Sequence, residues 1–437
     1  MKVLIISHNP ISTYQSMGKT MLSLFSSFSK DELCQLYIYP TVPDVDICSS
    51  YFRITDRNVL NSLLKFQKVE SKIIESTEID AQKRSFYESE ADERLLKRKK
   101  SYLTLLLRDI MWKCSRWDNK SLEEWVKEQK PGCIFLAPGE SKFIYDIALS
   151  LHKKYQLPII TYLCDEFYFV DTPRNMLGRI HHQLLCGKIE KLMKSCSGLI
   201  TICDELSTAY NHKFHIPATT VYTGSNLPFH HTYPIREALK GISYFGNLAI
   251  DRLSSIIDVG DVLDEINLEY HSSFRLFLYT RSLSDEQKEM ISKHPAIVYC
   301  GYVVGNDFFE TMASSDLLLH VESFRKDSID RVKHSISTKI ADSLSSGIPL
   351  VAYGPSTIAS MNYLVTHECA FCASSKIELK DKLLTALFHI EERKRIVDNS
   401  LSVAKTNHDS HENSKHLKNR ILEYSESKMY LLSEDRR

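Results

Sequence analysis

Short unbroken apolar runs, each leading into a helical pattern, constrain this chain more than any other feature. VLII opens the series at residues 3–6, and a polar loop and the helix-like TMLSLFSSF follow it. LCQLYIYP (33–40), CIFLAP (133–138), PIITYLCD (158–165), GLITICDEL (198–206) and TTVYTG (219–224) continue it. Runs of this length, bounded by turn residues and separated by helices, read as buried strands of a parallel sheet. A second series begins near residue 241. GISYFGNL, FRLFLYT (274–280), AIVYCGY (296–302), DLLLHV (316–321) and IPLVAY (348–353) are its strands, with helices over 252–266, in DFFETMASS and over 376–405. Two such series predict an α/β protein of two doubly wound, Rossmann-like domains facing a central cleft, where ligands of such sheets bind. The expected boundaries are 1–232 and 233–405, with a linker around 225–240 that holds Pro228 and Pro234. The polar stretch 406–437 is expected to form a helical tail packing back on the N-terminal domain.

Residues 56–130 break the pattern: they are charge-rich and contain neither Gly nor Pro. They predict a helical insertion. Within it, Lys97, Arg98, Lys99 and Lys100 precede YLTLLLRDIMWKCSRW. The favoured reading is a solvated helix end followed by a core helix, because LTLLL is what a buried helix needs. The alternative is a segment lying on anionic lipid, with Trp112 and Trp117 on its apolar side.

Charge excludes one broad class. Lys plus Arg (55) equals Asp plus Glu (55), so nothing global points to nucleic acid. The 11 cysteines are scattered through apolar segments, as reduced thiols of a cytosolic protein are. The C-x-x-C at Cys369 and Cys372 lacks a second pair at zinc-site spacing, so no metal site is expected. MKVLIISHNP is too short in its apolar run for a signal peptide, and no run is long enough to span a bilayer. A cytoplasmic protein is expected, with peripheral contact at the inner membrane face left open.

The most informative stretch is KHSISTKIADSLSSGIPLVAYGP (333–355). Ser337 suits an N-cap, Thr338 and Lys339 a first turn, and Ile340 and Leu344 an apolar face. Gly347 stands at the C′ position, and Pro349 ends the helix. A helix N-terminus there, with two hydroxyls and a lysine, suits a diphosphate; a plain helix cap with a solvated basic loop is the alternative. Gly246 lies at a strand end in YFGNLAIDR and permits close backbone approach, and Arg252 can fork onto a phosphate.

Together these residues resemble GT-B-fold glycosyltransferases of the family 4 type, best at 243–252, 297–322 and 335–355. The S-x-S/T-K form of the loop resembles bacterial capsule and polysaccharide enzymes. The resemblance implies that Asp342 holds the nucleotide ribose, in the place of a usual Glu, and that Arg252 binds phosphate. Asn247 replaces a frequent Arg, and His334 stands where the family often has a first Glu. Glu322, at the end of DLLLHV, is then a candidate for facing the donor. Tyr302 and Val303 flank the base, with a core role for Tyr302 as the alternative. In the N-terminal domain, the loop Ser7–Gly18 resembles the family's first loop, with Gly18 close to phosphate. Asp165 is a candidate for the transferred sugar or the acceptor hydroxyl, or else a helix cap.

The implied activity is transfer of a sugar from a nucleotide-diphosphate sugar to a glycan, lipid-linked or protein acceptor. The donor is a co-substrate, so no separate cofactor is expected. No D-x-D stands at a strand end, and the cations Arg252 and Lys339 suit the leaving charge, so no metal is expected. Retention of configuration is implied by the resemblance alone. A non-catalytic nucleotide-sugar-binding subunit and a GT-B-fold epimerase remain as alternatives.

Overall fold

The structure, a computed structural model, describes residues 1–13, 16–75, 101–171, 173, 175–225, 227 and 235–434. Lys97–Lys100 and the prolines Pro228 and Pro234 lie outside them. The chain forms two compact units. One comprises Met1–Tyr222 with the C-terminal stretch from Ser410; the other is Thr223–Asp409.

The first unit is built on eight strands: β1 (Val3–Ser7), β2 (Leu33–Tyr37), β3 (Ser50–Arg53), β4 (Lys72–Glu75), β5 (Cys133–Leu136), β6 (Ile159–Leu163), β7 (Cys196–Thr201) and β8 (Ala218–Thr220). Their order is β4-β3-β2-β1-β5-β6-β7-β8, parallel except for β4 against β3. The insertion is therefore not purely helical. KIIE buries only Ile74, so no apolar run announces the edge strand β4. The helices are α1 (Ser16–Leu24), α2 (Asp56–Leu64), α3 (Tyr102–Cys114), α4 (Lys120–Gln129), α5 (Lys142–Tyr155), α6 (Met176–Ser195) and α7 (Asp204–Phe214).

Trp112 of α3 is fully buried, stacked on Phe143 with centroids 4.2 Å apart, and its Nε1–H donates to Asp56 (2.7 Å). It is a core residue and does not lie on an apolar outer face. The polar C-terminal stretch folds as a helix of this unit because Leu417, Ile421 and Tyr424 recur at helical spacing and enter its core. Tyr424 also shares a 2.6 Å hydrogen bond with Thr219 at β8.

The second unit has six parallel strands: β9 (Gly241–Phe245), β10 (Arg275–Tyr279), β11 (Ile297–Gly301), β12 (Leu317–Val321), β13 (Leu350–Tyr353) and β14 (Phe371–Ala373). Their order is β11-β10-β9-β12-β13-β14. The chain winds outward from β9 in one direction, then returns to β12 on its other side. That reversal opens a crevice at the carboxyl ends of β9 and β12, where open α/β sheets bind ligands. Helices α8 (Arg252–Glu269), α9 (Asp285–Ser292), α10 (Asn306–Ser314), α11 (Lys326–Val332), α12 (Lys339–Ser345), α13 (Ala359–Thr366), α14 (Lys376–Phe388) and α15 (Ile390–Asn407) complete the unit, and α16 (Ser410–Glu434) belongs to the first. Helix α8 buries Ile256, Val259, Leu263 and Ile266 in one core with Ile242, Leu276, Leu319 and Val351 of the sheet. Each such side chain contributes about 1.5–3 kcal/mol by leaving water. The segment 323–336, between β12 and α12, contains the short helix α11.

Candidate functional site: a cationic cluster at the strand-order reversal

Two strand ends define the site. Past β9 the chain turns through Gly246 and reaches α8 at Arg252. Ile250 and Asp251 both adopt left-handed backbone (φ 59° and 56°) just before it. A β-branched residue seldom sits there, at a cost of order 1–3 kcal/mol, so the surrounding structure holds this turn against strain. Past β12 the next residue is Glu322. Strand neighbours β9 and β12 thus bring Arg252 and Glu322 together from distant points in the chain.

Their contact is a bidentate pair. Arg252 Nε donates to Glu322 Oε2 (3.1 Å), and Nη2 donates to Oε1 (3.1 Å) and Oε2 (2.9 Å). Glu322 is 2% exposed. Its N–H donates to Tyr353 O (2.9 Å) and its carbonyl accepts from Ser255 Oγ (2.8 Å). Burial would raise its carboxyl pKa, but His320, with Nε2 3.4 Å from Oε1, and then Arg252 bring it below the usual range. The expectation that Glu322 faces the donor is therefore corrected: both its oxygens are spent on Arg252, which it orients. The reading from sequence missed His320; a histidine inside the apolar run DLLLHV was its only signal.

Lys339 enters from the first residue of α12. Its amine lies 2.5 Å from the point where a β-carbon on residue 246 would stand, and Tyr244 Oη lies 2.8 Å from that point. Glycine at 246 thus makes room for the lysine. Among the described residues the Lys339 amine has no hydrogen-bond acceptor. Burial, then the Arg252 charge, lower its pKa to about 8, against a smaller opposing effect of Glu322. Arg252, Lys339 and Glu322 together carry one surplus positive charge. The nearby carboxylate of Asp251 is directed to Arg325 (3.6 Å) and Ser323 (3.5 Å). A pocket at this point is lined by Tyr244, Phe245, Arg252, His320, Ser337 and Lys339, among others.

The remaining expected residues divide. Ser337 lines the pocket, and its carbonyl accepts from Ile340 N–H (3.0 Å), so the helical turn starts there. Neither it nor Thr338, the residue before α12, makes a side-chain cap bond. The N-cap expectation for the Ser337 hydroxyl is corrected, and with seven residues α12 has only a small dipole. Gly347 follows the helix with φ 71°, the left-handed conformation of a C′ residue.

Asp342, one turn beyond Lys339, accepts a hydrogen bond from Ser225 Oγ (2.9 Å) and does not line the pocket. Tyr302 lies just past the edge strand β11, 54% exposed with the Arg281 guanidinium 5.2 Å from its ring centroid, so it is not a core residue. Val303 is half-buried beside it. Neither lines the pocket.

In the first unit, Gly18 is buried, and a β-carbon on it would lie 2.9 Å from both Pro10 O and Ser12 N. Its smallness admits the preceding loop, which covers it; the expected open approach for a phosphate is not there. Asp165 is exposed past β6. The next helix, α6, is capped by Asn175, which accepts from Gly178 N–H (2.6 Å), so Asp165 is not its cap. Adjacent Glu166 is buried and accepts from Phe169 N–H (2.8 Å) and Tyr210 Oη (3.3 Å).

No protein-family model matches the chain, and no curated protein matches it in sequence. Solved structures match it in fold. Alr3699/HepE of Anabaena, in complex with UDP, superposes with a TM-score of 0.64 at 12% identity, over 97% of this chain and 100% of that one. Sucrose-phosphate synthase from Thermosynechococcus elongatus gives 0.62 at 10% identity, over 97% and 98%. The α,α-trehalose 6-phosphate synthase from Burkholderia multivorans gives 0.61 at 9% identity, over 99% of both. These are GT-B structures, and the chain is an α/β protein of the GT-B fold.

Proposed function

We propose that this chain is a glycosyltransferase that uses a nucleotide-diphosphate sugar. The observation that carries the reading is the surplus cation at the β9/β12 reversal: Arg252 held by Glu322, with Lys339 beside it over Gly246. A diphosphate there supplies the missing anion. As the glycosidic bond to the donor breaks, charge grows on the departing diphosphate, and fixed cations in a half-buried site stabilise that charge more than they stabilise the bound donor. Ser337 and Thr338 add hydroxyl donors. Asp342 takes the ribose hydroxyls and Tyr302 and Val303 flank the base; Asp165 is our candidate for the sugar or acceptor hydroxyl. Arg252 and Lys339 direct positive charge at the leaving group, and the reading invokes no metal.

The fold neighbours support a nucleotide-sugar donor. Alr3699/HepE is in complex with UDP, and a trehalose-phosphate synthase of Burkholderia xenovorans is in complex with glucose-6-phosphate. The loop around Ser337–Lys339 favours the family 4 type, a retaining outcome and a role in bacterial surface polysaccharide synthesis, from the cytoplasmic side.

The test is product analysis. The purified chain is incubated with UDP-, GDP-, CMP- and dTDP-activated sugars, alone and with candidate acceptors, and thermal shifts are recorded with the free nucleotides. We expect one nucleotide class to raise the melting temperature and its sugar donor to yield free nucleotide with a glycosylated acceptor. Binding without consumption identifies a non-catalytic subunit instead. Isomerised donor identifies an epimerase, a reading the burial of Glu322 disfavours because it removes one of its two candidate acid/base groups.

A further inference from the structure

We infer that the outer face of α2, α3 and α6 in the first unit docks on an anionic lipid surface. Helix α3 has two apolar faces. Leu105 and Trp112 point inward, while Leu103, Leu107 and Ile110, at i, i+4 and i+7, are 51%, 56% and 57% exposed. The neighbouring helices repeat the arrangement. On α6, Gly178, His181 and Leu185 face inward and Met176, Leu177 and Leu184 are exposed. On α2, Val59 and Ser62 are buried while Leu60, Leu64 and, just past its end, Phe66 are exposed.

Helix α3 contacts both of the others. Arg108 of α3 pairs with Asp56 of α2 at 2.9 Å, and Tyr102 of α3 packs where a β-carbon on Gly178 of α6 would stand, 2.9 Å from its Cε2. Exposed apolar residues scattered singly are ordinary; stripes in helical register on three packed helices are a binding surface.

Charge selects the occupant. Arg57, Lys65, Lys68, Lys113 and Arg179 are exposed on these helices and at their ends. Of their acids, Asp109 is buried against Lys142, Asp56 is half-exposed and paired with Arg108 and Trp112, and the exposed Glu190 lies toward the far end of α6, where it accepts from Tyr168 Oη. Residues 176–189 contain no acid at all, and Glu70 is the single acid of the segment joining α2 to β4. Apolar stripes ringed by cations suit the boundary between acyl chains and negative headgroups. A second copy of this surface would set cation against cation. No helix among the described residues is long and apolar enough to cross a membrane, so the contact is one of lying on it. Lys97–Lys100 precede α3 in sequence, outside the described residues.

The test uses the full chain and sedimentation with vesicles of phosphatidylcholine, alone or mixed with phosphatidylglycerol. We expect pelleting with the mixed vesicles, weakened by added salt. The triple variant Leu103→Ser/Leu107→Ser/Ile110→Ser should partition about ten-fold less or weaker still, with an unchanged circular dichroism spectrum. Should that variant fail to fold, Arg57→Glu/Lys65→Glu/Lys68→Glu, which alters only exposed cations, should lose the preference for phosphatidylglycerol. The inference is overturned if the wild-type chain stays in solution with both vesicles, or if folded variants bind as it does. It is equally overturned if sedimentation velocity shows a dimer that the triple variant abolishes and no vesicle binding.

Discussion

Lys339 places its amine 2.5 Å from where a β-carbon of residue 246 would be, so the lysine occupies the space that Gly246 leaves open. Gly246→Ala should push the amine off the strand end and disturb Tyr244, whose hydroxyl donates to Asn247 O (2.8 Å). Both obstructing atoms are the tips of side chains, so the fold should survive at a cost of about 1 kcal/mol. Turnover should fall about ten-fold or more, because a cation moved by an ångström no longer meets the leaving group. Donor turnover measured beside the melting temperature checks this; equal loss in both would mean that residue 246 matters only for folding.

The depressed pKa of Lys339 sets a pH dependence. With the free-protein pKa at about 8, kcat/KM for the donor should decline as pH rises through about 8, as the ammonium is lost. The stability effect has the opposite sense. The folded pKa lies below the unfolded value near 10.5, so the unfolded chain binds more protons between those values and stability rises with pH across them. At neutral pH the buried charge therefore opposes folding. Lys339→Met should raise stability by about 1–2 kcal/mol while reducing turnover strongly and removing the alkaline limb. A rate–pH profile and a melt of each protein decide it.

Removing Arg252 is a less clean experiment than its position at a helix start suggests. Arg252→Ala strands the buried Glu322 carboxylate, which should cost about 3–5 kcal/mol. Arg252→Lys keeps the charge and loses the two-pronged bond to Glu322. We expect it to stay folded and to turn over about 100-fold more slowly. Wild-type rates from folded Arg252→Lys across a panel of donors would remove Arg252 from the phosphate site.

His408 should govern part of the acid stability of the second unit. It is fully buried, with Nδ1 2.8 Å from Thr223 O and Nε2 3.0 Å from Tyr363 Oη, the pattern of a neutral ring that donates to the carbonyl and accepts from the phenol. Burial lowers its pKa to about 4, with the Thr223 bond opposing and His367 assisting. The folded value lies below the unfolded 6.5, so its contribution is complete above about pH 6.5 and is lost as pH falls through about 4. Denaturant unfolding of wild type and His408→Asn across that window should show the difference between them shrinking by up to about 3 kcal/mol toward acid. A constant difference would place the effect on other groups.

The sequence by itself determined the two β/α series, most strand positions, and the residues Arg252, Ser337 and Lys339 as material for an anion site. Those are local properties: a buried strand needs a short apolar run, a helix needs its own period, and a glycine or proline stops either one. Tertiary structure alone decided what these residues do to one another. Glu322 and Arg252 are 70 residues apart and meet only because β12 returns to the far side of β9, which no periodicity encodes. The same return buried Glu322, which reads in sequence like any carboxylate at a strand end. It also set Lys339 over Gly246, whereas Tyr302 was left in solvent at a sheet edge and Gly18 was sealed by its own loop. The short elements β4, β14 and α11 escaped for a related reason: their few residues hold too little pattern of their own, and neighbours in space stabilise them. On α3 the sequence displayed the apolar residues, but only packing showed which side of the helix the core took and which side it left to water.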